Sequence, residues 1–441
     1  MRCVFGFMCV CALGVMPLVG CSETTGDGGS GGEAGSGGTA GDGGSGAVDP
    51  CDGVDCDDGE TCIWGDCYAN DCSLVEEGAG CAAPAGFFLV PGLCSGDACL
   101  PECEVLEEGS ACHREDGVGI CADGFCQERC DNDDDCSDLK DCTSDTCLSN
   151  GLCESTAVQD GTPCAGGTCE GGACALEGSV LPCSEDGIRN AVAAGGGPYA
   201  LDCDEPTTVV LRATIRVDND TILDGKGVTL DARNTADTTF RVDERVAVEL
   251  DGFTLIGGDH AGIYNAGNLT LANSTATANP GWGIDNDGVL TVINSTVSGN
   301  TDAAQIFNQG SVALINSTVL AEVASAALST SLSDVTTIEG CIIRGRCALA
   351  DQPLTSNGYN IESPGDTCGF DQTGDQPGVT AVLLDLQPLA DNGGPTQTHA
   401  ITTDSAAFNA GSCEVDTDQR GVTRPQGPTC DVGAFELEVG P

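Results

Sequence analysis

The second half of the chain is built from short segments in which apolar and polar residues alternate. "VVLRATIRV", "TILDGKGVTL" and "VAVELDGFTL" begin the pattern, and "LANSTATAN", "VINSTVSGN" and "LINSTVLAE" continue it. A period of two with many β-branched residues predicts short strands, each with one buried face. The segments recur at a fixed interval. Asn273, Asn294 and Asn316 lie 21 and 22 residues apart, and the sets Ile263, Ile284, Ile306 and Asn265, Asn286, Asn308 keep that spacing. Gly267, Gly288 and Gly310 complete each turn, while Asp251 sits 22 residues before Asn273 and Glu339 sits 23 after Asn316.

A repeat of this length made of strands predicts a solenoid. The fold class expected is mainly β: a right-handed parallel β-helix with capped ends, three short strands per coil and coils stacked at the ~4.8 Å spacing of paired strands. Equivalent residues then lie above one another. The triple Asn-Ser-Thr matches the N-glycosylation acceptor pattern, but stacking explains it as an asparagine ladder whose amides bond along a column. The ladder expected runs through Asp251, Asn273, Asn294 and Asn316 and through Asn265, Asn286 and Asn308, with glycines at the tight corners.

Ahead of the coils, "CSEDGIRNAVAAGGG" predicts a short helix. Ser184 suits the N-cap, Glu185 and Asp186 the first turn, and Ile188 and Val192 share a face. Cys183 can pair with Cys203 across it.

Cysteine usage divides the chain. Of 31 cysteines, 20 fall in residues 51–174 and seven in 183–430. This density reads as disulfides. Zinc fits poorly, because the spacings are wide and the chain has 3 His. Residues 49–178 have few apolar runs and read as small disulfide-stapled modules. The pairs Cys62/Cys67, Cys94/Cys99, Cys121/Cys126, Cys142/Cys147 and Cys169/Cys174 repeat a four-residue gap. They resemble the Cys-rich stalk modules of large surface proteins in some predatory and soil bacteria. "DNDDDCSD" at 131–138 alternates acids as a Ca²⁺ loop does, but lacks the Gly and Glu an EF-hand requires at its sixth and twelfth positions, so it reads as a solvated acidic turn.

With 15 Lys+Arg against 69 Asp+Glu, the net charge is −54. Nucleic-acid binding needs a basic face that this chain lacks. The charge suits solubility at a cell surface. No cofactor is indicated, although the acids leave room for Ca²⁺.

The first residues, "MRCVFGFMCVCALGVMPLVGCSETT", combine a positive start with an apolar run, the layout of an export signal. Leu18-Val19-Gly20-Cys21 resembles the bacterial lipoprotein lipobox. The resemblance implies cleavage after Gly20, lipidation of Cys21 and anchorage by several acyl chains. Ser22 in place of Asp implies the outer membrane, at its extracellular or periplasmic face. Residues 22–48 are almost free of apolar side chains and form a linker with a mean reach of roughly 30 Å.

The last part of the chain carries the most specific resemblance. "LADNGGPT" (389–396), His399-Ala400, "DQRG" (418–421), Arg424-Pro425 and "DVGAFE" (431–436) are similar to the tail of the choice-of-anchor Q β-helix proteins. "CSEDGIRNAVAA" resembles their N-terminal cap, although "EDG" departs from it. That family is exported and surface-tied, and most members have no known activity. The tail is expected to pin down over the last coil through ion pairs of Arg420, Arg424, Asp391 and Asp418. His399 would be a hydrogen-bond partner there, with Cys413 and Cys430 as a staple. Cys341, Cys347 and Cys368 leave one odd thiol. The resulting divisions are a signal (1–20), a lipidated linker (21–48), Cys-rich modules (49–178), an N-terminal cap with the β-helix (179–385) and a C-terminal cap (386–441).

The repeat alignment places Tyr264, Asp285 and Phe307 at one outward position of successive coils, with His260 and Trp282 close by. Aromatics are only 4% of the chain, so this gathering suits sugar stacking. The expected function is a surface-anchored, non-catalytic, monomeric protein of adhesin type that binds polysaccharide or matrix. The alternative is a polysaccharide lyase or glycoside hydrolase acting on an acidic polymer. For that reading the candidate acids are Asp224 in "ILDGKG", Asp231, Asp251, Asp259 and Asp285, but the Gly-His-Gly and Arg-Ile-Lys elements of pectin hydrolases are absent.

Overall fold

The computed structural model describes residues 129–439 with short breaks at 204–205, 234–235, 303, 322–324, 332–334 and 351–353, together with strands and a few adjoining residues between Glu60 and Glu128. The export signal, Cys21 and the linker lie outside the described residues.

From Val180 to Ser363 the strands form three parallel sheets of nine, eight and seven strands. Sheet A holds strands such as Ala247–Asp251, Asn268–Ala272 and Val289–Ile293; sheet B holds Thr254–Ile256, Thr275–Thr277 and Thr296–Ser298; sheet C holds Ala261–Asn265, Trp282–Asn286 and Ala304–Asn308. Each coil contributes one strand to each sheet, so the chain forms a parallel β-helix. The alternation read from sequence fills the interior. Leu223, Leu250, Leu271, Val292, Leu314 and Ile338 form one inward column, and Phe240, Ile263, Ile284, Ile306 and Leu328 form another. All are almost fully buried. At roughly 25 cal/mol per Å² of apolar surface, such columns dominate the stability.

The helix α1, Glu185–Ala194, closes the N-terminal end. Ser184 accepts from the Gly187 amide at 3.1 Å, and Ile188, Ala191 and Val192 pack on the first coils. Glu185 is buried, but Arg189 at 2.7 Å and Arg212 at 3.0 Å pair with it. Cys183 is bonded to Cys203 as expected.

The Asn-Ser-Thr repeat divides its labour differently from the expectation. Asn265, Asn286 and Asn308 do form a buried ladder, with amide-to-carbonyl contacts of 2.7 and 2.6 Å between coils. Asn273, Asn294 and Asn316 do not bond one another. They turn the corner with φ of 48°, 45° and 45°, a left-handed conformation Asn tolerates. Asn273 donates to Asp251 at 3.0 Å, and Asn294 donates to the Thr417 carbonyl at 2.9 Å. Asn294 and Asn316 are buried, which leaves no room for a glycan. The ladder at this column belongs to the next residue. The Ser274, Ser295 and Ser317 hydroxyls accept the amides of Phe253, Ser274 and Ser295 at 3.1, 3.1 and 3.2 Å. A further ladder, Asn279 over Asn300, lines a third corner at 2.8 Å.

The glycines at 288 and 310 have a reason other than dihedral freedom. A Cβ on either would lie about 2 Å from the carbonyl oxygen of the preceding coil's glycine (2.1 Å for Gly288, 2.0 Å for Gly310).

The tail reaches beyond its expected place over the last coil. It runs along the flank of sheet B across successive coils. Thr275 donates to the Gln397 carbonyl at 2.7 Å, Thr296 to Gln419 Oε1 at 2.7 Å, and Thr318 Oγ1 accepts from Ala434 at 3.1 Å. Ile401, Ala407, Val432 and Phe435 form a second core against Ile342 and Ile361. Arg420 pairs with Asp418 at 2.8 Å, but Arg424 pairs with Glu436 at 3.3 Å. Asp391, expected in that network, instead accepts the Gly393 amide in an exposed turn. His399 bonds the Gln387 carbonyl at 2.7 Å and Ser298 at 3.0 Å, and Cys413 is joined to Cys430. Cys347 and Cys368 pair near the last coil, which makes Cys341 the odd, buried thiol.

In the Cys-rich part the four-residue gap is a β-hairpin. Cys62 faces Cys67, Cys94 faces Cys99, Cys121 faces Cys126 and Cys169 faces Cys174 across antiparallel pairs. Cys142 and Cys147 break the rule, since Cys142 precedes the strand Thr143–Cys147 that Cys147 ends, and Cys147 faces Cys153. Among the described residues, the two Cys trios close enough to hold a metal are all disulfide-bonded. The acidic run forms a 3-10 turn, Asp133–Cys136, capped by Asn132, with Asp135 bonded to the Asp131 and Asn132 amides.

Candidate functional site

Sheet C carries the aromatic strip on its outer face. Its register places Tyr264, Asp285 and Phe307 in one column, as the repeat alignment predicts, and adds Arg241 one coil earlier. Trp282 begins the strand that ends at Asn286, and His260 precedes the strand one coil earlier. Trp282 stacks on Phe307 with centroids 5.0 Å apart and planes 15° apart. His260 meets Trp282 edge-on at 5.2 Å, and Tyr264 lies 6.0 Å from His260. The Arg241 guanidinium lies over the Tyr264 ring at 4.8 Å, a cation–π contact. The four rings thus make one half-exposed strip across three coils.

Asp285 does not share that exposure. Its side chain is only 5% exposed, and its Oδ2 accepts from His260 Nε2 at 2.8 Å. Its other oxygen is buried without a hydrogen-bond partner. The bond to Asp285, opposed by partial burial, raises the His260 pKa above its usual value. Tyr264 donates to Asp287 at 2.7 Å; burial, with that carboxylate beside it, pushes its phenol up to about 12. Of the predicted residues, His260, Tyr264, Trp282 and Phe307 form the surface, and Asp285 lies beneath it as a support. Arg241 belongs to the strip and was missed from sequence. Its place one coil before Tyr264 in the column was the available signal.

The other candidate acids scatter. Asp224 and Asp251 are register partners on neighbouring coils, and Lys226 pairs with Asp224. Burial raises the Asp251 pKa against the bond from Asn273. Asp231 is held by Arg233 at 2.6 Å, and Asp259 is exposed.

The chain therefore belongs to the class of parallel β-helix proteins, on the evidence of its own strand register. No protein-family model matches it, and no curated protein does. Among solved structures it is similar to the crystal structure of pectate lyase Pel9A, at 14% identity and a TM-score of 0.34, over 56% of this chain and 90% of that one. No helix among the described residues is long and apolar enough to cross a membrane.

Proposed function

We propose that this protein is a surface-tethered binding protein whose β-helix holds polysaccharide on the aromatic strip of sheet C. In this reading Cys21 carries the lipid, residues 22–48 are the tether and the disulfide-rich modules are a stalk at the outer membrane. The observation that carries it is the Trp282–Phe307 stack, extended by His260 and Tyr264 on a rigid, ladder-braced sheet. Sugar rings stack on such aromatic surfaces, and fixed rings lose little entropy on binding. The lyase or hydrolase alternative draws support from Asp224, Asp251 and Lys226 at one corner, since a glycoside hydrolase needs paired carboxylates and a lyase a basic residue beside its carboxylates.

One experiment separates the two readings. Residues 23–441 are run through gels cast with a panel of polysaccharides, and the same mixtures are assayed for new reducing ends. Retardation by at least one polymer is expected, together with about a tenfold loss of affinity in Trp282→Ala and no new ends. Cleavage that Asp251→Asn abolishes would replace the binding reading with the enzymatic one.

A further inference from the structure

Basic side chains are scarce, and the described ones are mostly engaged. Eight of them lie within ion-pair distance of a carboxylate. Arg344 and Arg346 have no carboxylate partner among the described residues. They bracket Gly345, which turns the corner from sheet B to sheet C with φ of 124°. Arg344 and Arg346 line a depression of about 330 Å³, shared with Ser325, Pro364, Gly365 and Thr367. Arg344 is half-buried and Arg346 exposed.

The floor of this depression is fixed. Thr367 Oγ1 accepts from the Cys347 amide at 2.8 Å and donates to Glu362 at 2.7 Å. Glu362 is fully buried behind it, and the Thr367 and Cys368 amides also bond its carboxylate. That carboxylate is therefore already held by three donors, and Glu362 does not line the depression. The Cys347–Cys368 disulfide joins the two segments that form the floor. Arg344 also acts at a distance: together with burial, its charge lowers the pKa of His399.

Two unpaired arginines at one small concavity are unusual in a chain of net charge −54. Such a pair costs charge repulsion unless an anion joins it, and guanidinium is the side chain that matches oxyanions bidentately. The volume is at the small end of ligand pockets, which suits one ring rather than a chain of them. We propose that the depression at Arg344 and Arg346 is a second binding site, which takes the carboxylate or sulfate of a single acidic sugar residue. In this site the guanidiniums would hold the oxyanion, with Ser325 as a polar lining residue for the ring. The site shares no residue with the aromatic strip, so it stands whether or not sheet C binds polysaccharide.

The test is calorimetric titration of residues 23–441 with glucuronate, glucose 6-sulfate, glucose and inorganic sulfate at low salt. Glucuronate or glucose 6-sulfate should bind saturably, and glucose should not. Arg344→Ala/Arg346→Ala should weaken that binding at least about tenfold, Arg346→Gln alone should weaken it while leaving the fold intact, and Trp282→Ala should leave it unchanged. Binding should also fall as salt is raised. Failure of both acidic sugars to bind, or binding undiminished in Arg346→Gln and the double variant, would overturn the site. Inorganic sulfate binding as tightly as the acidic sugars would overturn its assignment to a sugar residue.

Discussion

Each residue of Asn-Ser-Thr has its own task, set by where its side chain points. Asn294 bends the backbone, Ser295 caps the amide of the coil before, and Thr296 faces outward to hold Gln419 of the tail. Cys341 occupies the serine column one coil on from Ser317, whose amide lies 3.4 Å from its sulfur, and the thiol donates to the Glu339 carbonyl at 3.2 Å. Burial pushes that thiol up to about 12. The native protein should therefore leave Cys341 unmodified by a thiol reagent at pH 8, whereas unfolding should expose it. Cys341→Ser should retain the wild-type fold, read by circular dichroism and melting. His260 makes a prediction of opposite character. Its folded pKa is raised, so its bond to Asp285 stabilises the fold fully below about pH 6.5. That contribution is lost as pH rises through the raised value. With Trp64→Phe as background, Trp282 fluorescence should follow the same transition, and His260→Ala should abolish it. That variant also leaves a buried carboxylate unbonded, at a cost of about 1–3 kcal/mol in a urea melt.

At the level of elements, the strands are too short to persist alone, and the ladders supply what their length does not. Asn286 is the middle rung. Its amide donates to Asn308 at 2.6 Å and accepts from Asn265 at 2.7 Å, wholly out of water. Asn286→Ala strands both neighbours, so a loss of about 2–4 kcal/mol is expected by urea denaturation. Asn268→Ala, at an exposed strand start, should change stability by less than about 0.5 kcal/mol. Pattern reading was strong here because alternation and period are properties of neighbouring residues. It assigned the amide ladder to both asparagine columns, because spacing alone cannot distinguish an inward rung from a left-handed corner.

For the molecule as a whole, the tail decides which faces of the helix meet solvent. It covers sheet B, where Gln419 reaches Thr275, Thr296 and Thr396 from a fully buried position. Gln419→Ala should lower stability by about 1–3 kcal/mol and increase proteolysis after residue 386. His399 lies in the same strap, and burial lowers its pKa. A lowered value means that its contribution is present above about pH 6.5 and lost as pH falls through the folded value. The tail should therefore loosen in mild acid, and His399→Gln should blunt that loss. On sheet C the aromatic strip stays half-exposed, and no described part of the tail bonds it.

The sequence by itself determined the coil: the 21 to 23-residue period, the inward columns and the helix α1 with its Ser184 cap all follow from local chemistry and spacing, and it offered Cys183 and Cys203 as a pair that the structure joins. It also placed Tyr264, Asp285 and Phe307 in one column. Only the tertiary structure decided that Asp285 lies under His260, that Arg241 completes the strip, that the tail runs along sheet B, and that Arg344 and Arg346 meet at one depression. Those outcomes depend on contacts between residues up to about a hundred or more positions apart, such as His399 with Ser298, and on how deeply each side chain sits. A repeat specifies its own stacking, because each coil meets a copy of itself. It carries no information about the segment that later folds back across it.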